Sequence, residues 1–152
     1  MRITLAAIGK LKASPEAELI SKYRNQLSWK LEILELEAKK SLPPEVRKAE
    51  EARLLLQATA DCHQRIALDE RGKTLTSEAF AGQLAQWQQQ GNSHLGVIIG
   101  GADGLACEVR NAADLILSFG KLTWPHMLAR AMVCEQLYRA QSILSGHPYH
   151  RA

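Results

Sequence analysis

The 152-residue sequence has few cysteines, no long apolar run and no strong excess of one charge, and each absence narrows the class of protein. Cys62, Cys107 and Cys134 lie far apart without CxxC spacing, which argues against a disulfide framework or a zinc site. The apolar stretch at residues 3–8 is too short for the core of a signal peptide, and no stretch is long enough to span a bilayer. We therefore expect a cytoplasmic chain that needs no metal and does not enter a membrane.

The composition is that of an ordinary globular domain, with 46% hydrophobic and 23% charged residues. A chain of this length can bury one sizeable core, and it contains no repeat, linker or low-complexity segment. We therefore predict one domain over residues 1–152. The formal net charge of +3 is compatible with an RNA partner but does not require one.

Short apolar segments alternate with longer helical ones along the chain. Residues 95–99 (LGVII) form a continuous apolar run, which is typical of a strand buried on both faces. The alternation predicts an α/β domain with a mainly parallel sheet and helices on both faces. Ligands in such sheets bind beyond the carboxyl ends of the strands, so the loops after the last three strands meet at one pocket if those strands are neighbours. Strands are predicted at residues 3–8, 31–36, 65–69, 95–99 and 115–119, and helices at about 14–27, 43–60, 76–91, 105–113 and 125–146.

A glycine-rich segment, IGGADG at residues 99–104, follows the buried strand. Its spacing is not the GxGxxG of a dinucleotide site, and Leu105 and Ala106 stand where a phosphate-binding P-loop has Lys and Ser or Thr. The GxxG loop of KH domains joins two helices, whereas this segment follows a strand. A ligand-binding loop and a plain strand-to-helix turn both remain open.

A second loop, FGKLTWP at residues 119–125, leads from a strand into the last helix. Helix N-termini leave backbone N–H groups unpaired, so this loop could recognise an adenine through its amides and apolar side chains. An ordinary connection between strand and helix is the alternative.

The sequence ends in HPYHR at residues 147–151, an unusual combination for a chain terminus. Arg151 and a protonated histidine can contact phosphate, Tyr149 can stack on a base, and a histidine can act as a general base near neutral pH. A solvated tail is the alternative. His126 and Arg130, on the first turns of the last helix, either point into the same pocket or lie on the surface.

The last helix carries a broad apolar stripe. It can bury this stripe against its own sheet or against a second copy of the chain. The stripe consists of Met127, Ala131, Cys134 and Tyr138, with Leu128 and Leu137 beside it.

Five segments, in order along the chain, together resemble one family: the SPOUT-class 23S rRNA pseudouridine-N3 methyltransferases, or ribosomal RNA large subunit methyltransferase H family. The segments are LDERGK at 68–73, VIIGGADGL at 97–105, LTWPHMLAR at 122–130, EQLYRA at 135–140 and HPYHR at 147–151. Before residue 68 the resemblance is limited to the general layout.

The resemblance implies a deep trefoil knot in the C-terminal half, a rare feature in proteins. It also implies a homodimer paired through the last helices, and methylation of N3 of a pseudouridine in 23S rRNA on assembled ribosomes. The knotted loops would bind S-adenosyl-L-methionine, and Tyr149, His150 and Arg151 would contact the RNA, from the same chain or across the dimer interface. The residues that would line the cofactor pocket are Leu68, Gly100, Gly101, Phe119, Gly120, Lys121, Leu122, Thr123 and Trp124.

The chemistry implied by this family requires the N3 proton of the pseudouridine to leave before or during methyl transfer. We expect positive charge from Arg130, His150 and Arg151 to stabilise the developing anion, and His147 or His150 to take the proton. Two other functions are compatible with parts of the sequence. One is a ribosome-binding factor without catalysis, and the other is an enzyme acting on a free nucleotide.

Overall fold

The computed structural model describes the backbone of residues 1–151 and the side chains of residues 1–149. Strands and helices alternate along it, as the sequence predicts. The strands are β1 (Arg2–Ile8), β2 (Lys30–Leu36), β3 (Gln64–Lys73), β4 (His94–Ile99) and β5 (Leu115–Leu117). The helices are α1 (Pro15–Gln26), α2 (Pro44–Ala58), α3 (Ser77–Gln89), α4 (Cys107–Asn111) and α5 (His126–Ser145), followed by a 3₁₀ turn at Pro148–Arg151.

The five strands form one sheet in the order β2-β1-β4-β3-β5, and every paired strand runs parallel to its neighbour. Side chains of β1 alternate between the two faces, as the pleat requires. Ile3 and Leu5 face one core, whereas Ala6 and Ile8 face the other. The parallel sheet predicted from the sequence is therefore confirmed.

Helices cover both faces of the sheet. Helices α1, α3 and α5 pack on one face, where Leu84 and Leu137 are fully buried. Helices α2 and α4 pack on the other, around Leu55 and Val109. This arrangement confirms the predicted α/β class, while the deep knot stays a prediction. Within residues 1–151, no helix combines the length and the apolar character needed to cross a membrane.

Capping residues mark two helix starts and one helix end. The side-chain oxygen of Ser14 accepts a hydrogen bond from the backbone N–H of Ala17 at 3.3 Å, and Thr76 does the same for Ala79 at 3.1 Å. Helix α5 ends at Gly146, whose φ of 68° lies in the left-handed region that favours glycine.

Strand β3 is longer than the predicted residues 65–69, because it resumes pairing after a bulge. Leu68 and Lys73 both pair with Leu117 of β5, and the residues between them bulge out of register. Gly72 lies so close to β5 that a Cβ atom there would come within 2.6 Å of the carbonyl oxygen of Ile116. The absence of a side chain at Gly72 therefore permits the backbones of β3 and β5 to approach each other.

Helix α4 and strand β5 are shorter than predicted, because turns occupy their ends. A turn closed by the hydrogen bond from the N–H of Gly104 to the carbonyl of Gly101 (3.1 Å) precedes α4, which starts only at Cys107. After β5, the Ser118 hydroxyl donates to the carbonyl of Gly120 at 2.9 Å and accepts from its N–H at 3.2 Å, so the strand ends at Leu117.

Candidate active site

A cavity of about 560 Å³ opens beyond the carboxyl ends of β3, β4 and β5. Its volume lies within the range of small-molecule sites. Its walls come from the loops after these strands and from the first turn of α5. Because β4, β3 and β5 are consecutive in the sheet, the loops converge as predicted.

Eight of the nine residues predicted to bind the cofactor line this cavity. Lys121 does not line it, and its side chain is exposed. The placement of these eight residues agrees with a common site, and the binding role of each residue stays a prediction. The eight are Leu68, Gly100, Gly101, Phe119, Gly120, Leu122, Thr123 and Trp124.

The glycine loop, residues 100–104, presents bare backbone to the cavity and has no room for side chains at its first two positions. A Cβ atom on Gly100 would lie 2.9 Å from the side chain of Leu105. A Cβ on Gly101 would lie 2.9 Å from the carboxyl group of Glu51. Glycine at these positions permits close packing behind the loop and leaves the backbone accessible to a ligand.

Helix α2 supports the outside of this loop through residues that the sequence analysis did not single out. A side-chain nitrogen of Arg47 lies 2.5 Å from Asp103 in the loop, and this hydrogen-bonded ion pair raises the pKa of the arginine. Glu51, one turn further along α2, is buried behind Gly101, and burial raises the pKa of its carboxyl group. The spacing of four residues shows that the two share a helix face. It does not show which loop that face meets.

Asp69 and Arg110 connect the other side of the cavity. Arg110 lies 3.6 Å from the carboxylate of Asp69 and donates a hydrogen bond to the carbonyl of Leu105 at 2.5 Å. The same carboxylate accepts from the backbone N–H of Arg71 at 3.0 Å. The end of β3 is thus fastened to the segment that follows the glycine loop.

His126, at the start of α5, lines the cavity rather than the outer surface. Burial, and then the nearby charge of Arg130, lower the pKa of its imidazole, which favours the neutral form. Its Nδ1 atom is buried and makes no hydrogen bond with any residue whose side chain the structure describes. Of the two placements that the sequence left open for His126, the structure therefore shows the one at the cavity wall.

Arg130 is fully buried and lies behind the cavity, outside its lining. Its guanidinium group donates to the carbonyl oxygens of Ile8 at 2.6 Å and Gly9 at 2.7 Å, and lies 3.4 Å from the carboxylate of Glu35. Burial lowers the pKa of the guanidinium. The arginine thus ties α5 to the end of β1, and its predicted catalytic role stays a prediction.

The C-terminal tail lies at the opposite end of α5 from the cavity. The 20 residues of α5 span about 30 Å, and His126 lines the cavity at the start of the helix whereas His147 follows its end. His147 accepts a hydrogen bond from the N–H of Tyr149 at 3.3 Å, and no tail residue lines the cavity of its own chain within the described part. The predictions for His150 and Arg151 concern side chains outside the described residues.

Tyr149 packs against its own chain. Its ring centroid lies 4.6 Å from that of Tyr138, and the guanidinium carbon of Arg139 lies 4.9 Å from it. Its hydroxyl group donates to Glu135 at 3.0 Å. Burial, followed by hydrogen bonds with Tyr23 and Glu135, raises the pKa of this phenol. Among the side chains up to residue 149, no group of three His, Cys, Asp or Glu residues could hold a metal ion.

Comparison with known proteins identifies the family. A model described as "Predicted SPOUT methyltransferase" matches residues 1–150. Ribosomal RNA large subunit methyltransferase H of Rhodospirillum centenum is 53% identical over 152 residues, with both chains fully covered. The protein of the same name from Paramagnetospirillum magneticum is 48% identical, with 99% of each chain covered. The chain therefore belongs to the SPOUT methyltransferases and, within them, to the ribosomal RNA large subunit methyltransferase H family.

Solved structures support the fold alone, because their sequences are distant. A probable methylase family protein from Haemophilus influenzae superposes with a TM-score of 0.59 at 14% identity, covering 97% of this chain and 69% of that one. A putative methylase family protein from Neisseria gonorrhoeae gives 0.53 at 17% identity, covering 90% and 80%. The arrangement of strands and helices is thus shared with methylase family proteins.

Proposed function

We propose that this chain transfers a methyl group from S-adenosyl-L-methionine to N3 of a pseudouridine in 23S rRNA on assembled ribosomes, and that it works as a homodimer in the cytoplasm. One observation carries the proposal. The three-loop cavity lies in a chain that matches, from end to end, relatives named ribosomal RNA large subunit methyltransferase H. The substrate named for those relatives is the reason for choosing rRNA.

The cavity is suited to an adenosine-containing cofactor. Apolar side chains such as Leu68 and Leu117 offer flat contact surfaces, and the glycine loop offers bare backbone. The loop before α5 adds amide groups close to a helix start. When bound, S-adenosyl-L-methionine supplies an activated methyl group on a sulfonium centre, so the reaction needs no metal. The holding residues would be Leu68, Gly100, Gly101, Phe119, Gly120, Lys121, Leu122, Thr123 and Trp124.

The residues of the chain must also orient the pseudouridine and accept one proton from it. N3 becomes nucleophilic when its imide proton leaves, and positive charge nearby lowers the cost of the resulting anion. Arg130, His150 and Arg151 are the proposed sources of charge, and His147 or His150 the proposed proton acceptor. Arg130 can act only indirectly from its buried position, through the end of β1 that it holds.

The position of the tail is the reason for including a second copy. Because α5 separates the tail from its own cavity, Tyr149, His150 and Arg151 would reach the cavity of a partner chain more readily than their own. The strongly exposed Leu122, at the cavity mouth, is an apolar side chain that a partner or the RNA would cover. The proposed site is therefore composite.

The first experiment measures methyl transfer. The protein is mixed with S-adenosyl-L-methionine labelled in its methyl group and with ribosomes that lack the modification, and the labelled nucleotide is mapped. Label at N3 of one large-subunit pseudouridine is the expected result. Cofactor binding without label in the ribosome would retain the fold and cofactor but remove the substrate, and label in free nucleotides would favour the small-substrate enzyme. Ribosome binding without any cofactor binding would favour the non-catalytic factor.

A complementation experiment tests the composite site. One variant carries Gly101→Val, whose side chain would collide with Glu51 and Ile8 behind the loop and so distort the cofactor wall, and the other lacks the last five residues. Each variant alone is expected to be inactive, whereas a mixture that exchanges subunits is expected to recover activity, since one of its two sites has an intact cavity and an intact partner tail. A mixture that forms heterodimers but recovers no activity would remove the tail from the partner's site.

A further inference from the structure

Glu51 is a buried carboxyl group without a hydrogen-bond donor. The residue has a relative exposure of 7%, so 93% of its surface is inaccessible. Its Oε2 atom is fully enclosed and accepts no hydrogen bond from any described residue. Buried polar atoms in folded proteins are nearly always paired, because an unpaired one has lost its water without compensation. An exception of this kind calls for a functional explanation.

The unpaired oxygen faces the wall of the proposed cofactor cavity. A Cβ atom on Gly101 would lie 2.9 Å from Oε2 and 3.1 Å from Oε1 of Glu51. One turn earlier on α2, Arg47 binds Asp103 of the same glycine loop. Helix α2 therefore meets the loop at two points. At one point Arg47 forms an ion pair with Asp103, and at the other Glu51 offers an acceptor that has no donor.

A purely structural role does not account for this carboxylate. The adjacent Glu50 is only partly buried, with a side chain 35% exposed, and it forms an ion pair with Arg53 at 2.7 Å, as a carboxylate near the surface ordinarily does. Glu51 forms no such pair, and burial raises its pKa although the charge of Arg47 opposes that effect. An apolar side chain of similar size would fill the same space without the loss of hydration.

We propose that Glu51 is a positioning residue for the methyl donor: its unused oxygen accepts a backbone N–H of the glycine loop when the donor occupies the cavity, and so fixes that wall of the site. This inference rests on the proposed function, because it requires the cavity to bind the donor. The carboxyl group touches the loop and not the reacting atoms. Its effect therefore falls on binding and on the order of the loop.

The test compares two substitutions of Glu51 with a matched one next to it. Glu51→Met removes the acceptor at similar size, and Glu51→Gln keeps one acceptor oxygen. Glu50→Gln changes the same charge at the neighbouring, more accessible position. We expect Glu51→Met to bind both S-adenosyl-L-methionine and S-adenosylhomocysteine about tenfold more weakly, the loss expected for one hydrogen bond to a charged group. Glu51→Gln should recover part of the affinity, and Glu50→Gln should bind like the wild type.

Two further readouts separate positioning from stability. Calorimetric unfolding of ligand-free Glu51→Met should give a melting temperature equal to or above that of the wild type. Hydrogen exchange should show ligand-dependent protection of the amides at 101–103 in the wild type and little in Glu51→Met. A Gly101→Ala, Glu51→Ala double variant should bind the donor more tightly than the two single losses predict, because removal of Glu51 makes room for the new Cβ atom.

Several outcomes would overturn the inference. A lower melting temperature with unchanged ligand affinity in Glu51→Met would assign the residue to stability alone. A loss confined to S-adenosyl-L-methionine, and absent for S-adenosylhomocysteine, would mean that the charge acts directly on the sulfonium rather than through the loop. A wild-type chain that binds neither compound would overturn the proposed function and, with it, the inference. This failure differs from the other two because it is seen in the wild-type chain.

Discussion

The hydroxyl group of Tyr149 lies 3.0 Å from a carboxylate oxygen of Glu135, so that the last described side chain of the tail is anchored to the middle of α5. The anchor is reinforced by the ring of Tyr138 and by Arg139, which also binds Glu135 at 2.7 Å. This arrangement gives Tyr149 a role different from the predicted stacking on an RNA base. The hydroxyl group serves only the anchor, whereas the ring takes part in the anchor and would also carry the predicted stacking.

Replacing Tyr149 with Phe separates these roles, because it keeps the ring and removes the hydroxyl group. If the tyrosine anchors the tail, Tyr149→Phe should reduce the free energy that holds the tail on α5 by about 1 kcal/mol. Methyl transfer to ribosomes should then fall about fivefold. Glu135→Leu, which removes the acceptor, should have an effect at least as large, because it also removes the ion pair with Arg139. The double variant should be little worse than Glu135→Leu alone, since the two changes share the hydrogen bond between the hydroxyl group and the carboxylate. Affinity for S-adenosyl-L-methionine should stay unchanged in all three.

Full activity in Tyr149→Phe together with a large loss in Tyr149→Ala would point to base stacking instead. Independent losses that multiply in the double variant would show that the hydroxyl group and Glu135 do not act through each other. Steady-state rates on unmodified ribosomes, measured at saturating methyl donor, provide the comparison.

The alternation of strands and helices could be read from the sequence because each element buries its apolar residues with its own period. Residues 95–99 are apolar throughout because β4 lies in the middle of the sheet, with buried residues on both sides. The capping signals at Ser14 and Thr76 are local, so they also place the starts of α1 and α3. The loops after β3, β4 and β5 could be grouped only on the condition that these strands are neighbours, which the sheet order fulfils.

The parts that sequence did not predict depend on contacts between distant segments. The spacing of Arg130 on α5 does not show how the helix is rotated, so the carbonyls of Ile8 and Gly9 could not be foreseen as its partners. The importance of Glu51 likewise depends on how α2 meets the glycine loop. The docking of Tyr149 requires α5 and α1 to be adjacent, because Tyr23 of α1 lies 3.4 Å from its hydroxyl group.

Arg130 is expected to contribute more to stability than to chemistry. Arg130→Met removes the guanidinium that donates to the carbonyls of Ile8 and Gly9 and takes the ion-pair partner from Glu35, which keeps only its hydrogen bond from the N–H of Leu11. We expect a loss of about 3 kcal/mol in the free energy of unfolding, measured by urea denaturation. Arg130→Lys keeps a charged donor in the same space and should recover part of that loss.

Turnover per folded molecule decides whether Arg130 also supplies charge to the reaction. The rate is measured at a temperature at which both variants are folded, as shown by circular dichroism. Unchanged turnover in folded Arg130→Met, which lacks the positive charge, would remove Arg130 from the residues proposed to stabilise the anion. A large fall in turnover at full folding would keep it among them, acting through the end of β1.

The pH dependence of stability should report on His94, a buried imidazole at the amino end of β4, whereas the cavity lies beyond the carboxyl end of that strand. A side-chain nitrogen of Arg2 lies 2.8 Å from its Nδ1 atom, and the hydroxyl group of Thr4 lies 2.9 Å from Nε2. The same Nδ1 atom also lies 3.1 Å from the carbonyl oxygen of Asp61. Burial, and then the charge of Arg2, lower the pKa of His94 in the folded chain.

A lowered pKa in the folded state means that the unfolded chain takes up a proton first as the pH falls. The stability contributed by neutral His94 is therefore complete above about pH 6.5, the ordinary value for histidine, and is lost progressively below it. The loss cannot exceed about 1.4 kcal/mol per pH unit for one group. His126 shifts in the same direction and adds to the same window.

His94→Gln should be less stable than the wild type at pH 7.5, because the contacts with Arg2 and Thr4 are weakened. As the pH falls below 6.5, however, the free energy of unfolding of His94→Gln should decrease less steeply than that of the wild type. The remaining slope is due partly to His126. His63→Gln is the matched control, since the exposed His63 lies beside His94 with ring centroids 6.5 Å apart. Urea titrations at several pH values give the slopes. Parallel pH profiles for wild type and His94→Gln would show that His94 is not held neutral by its surroundings.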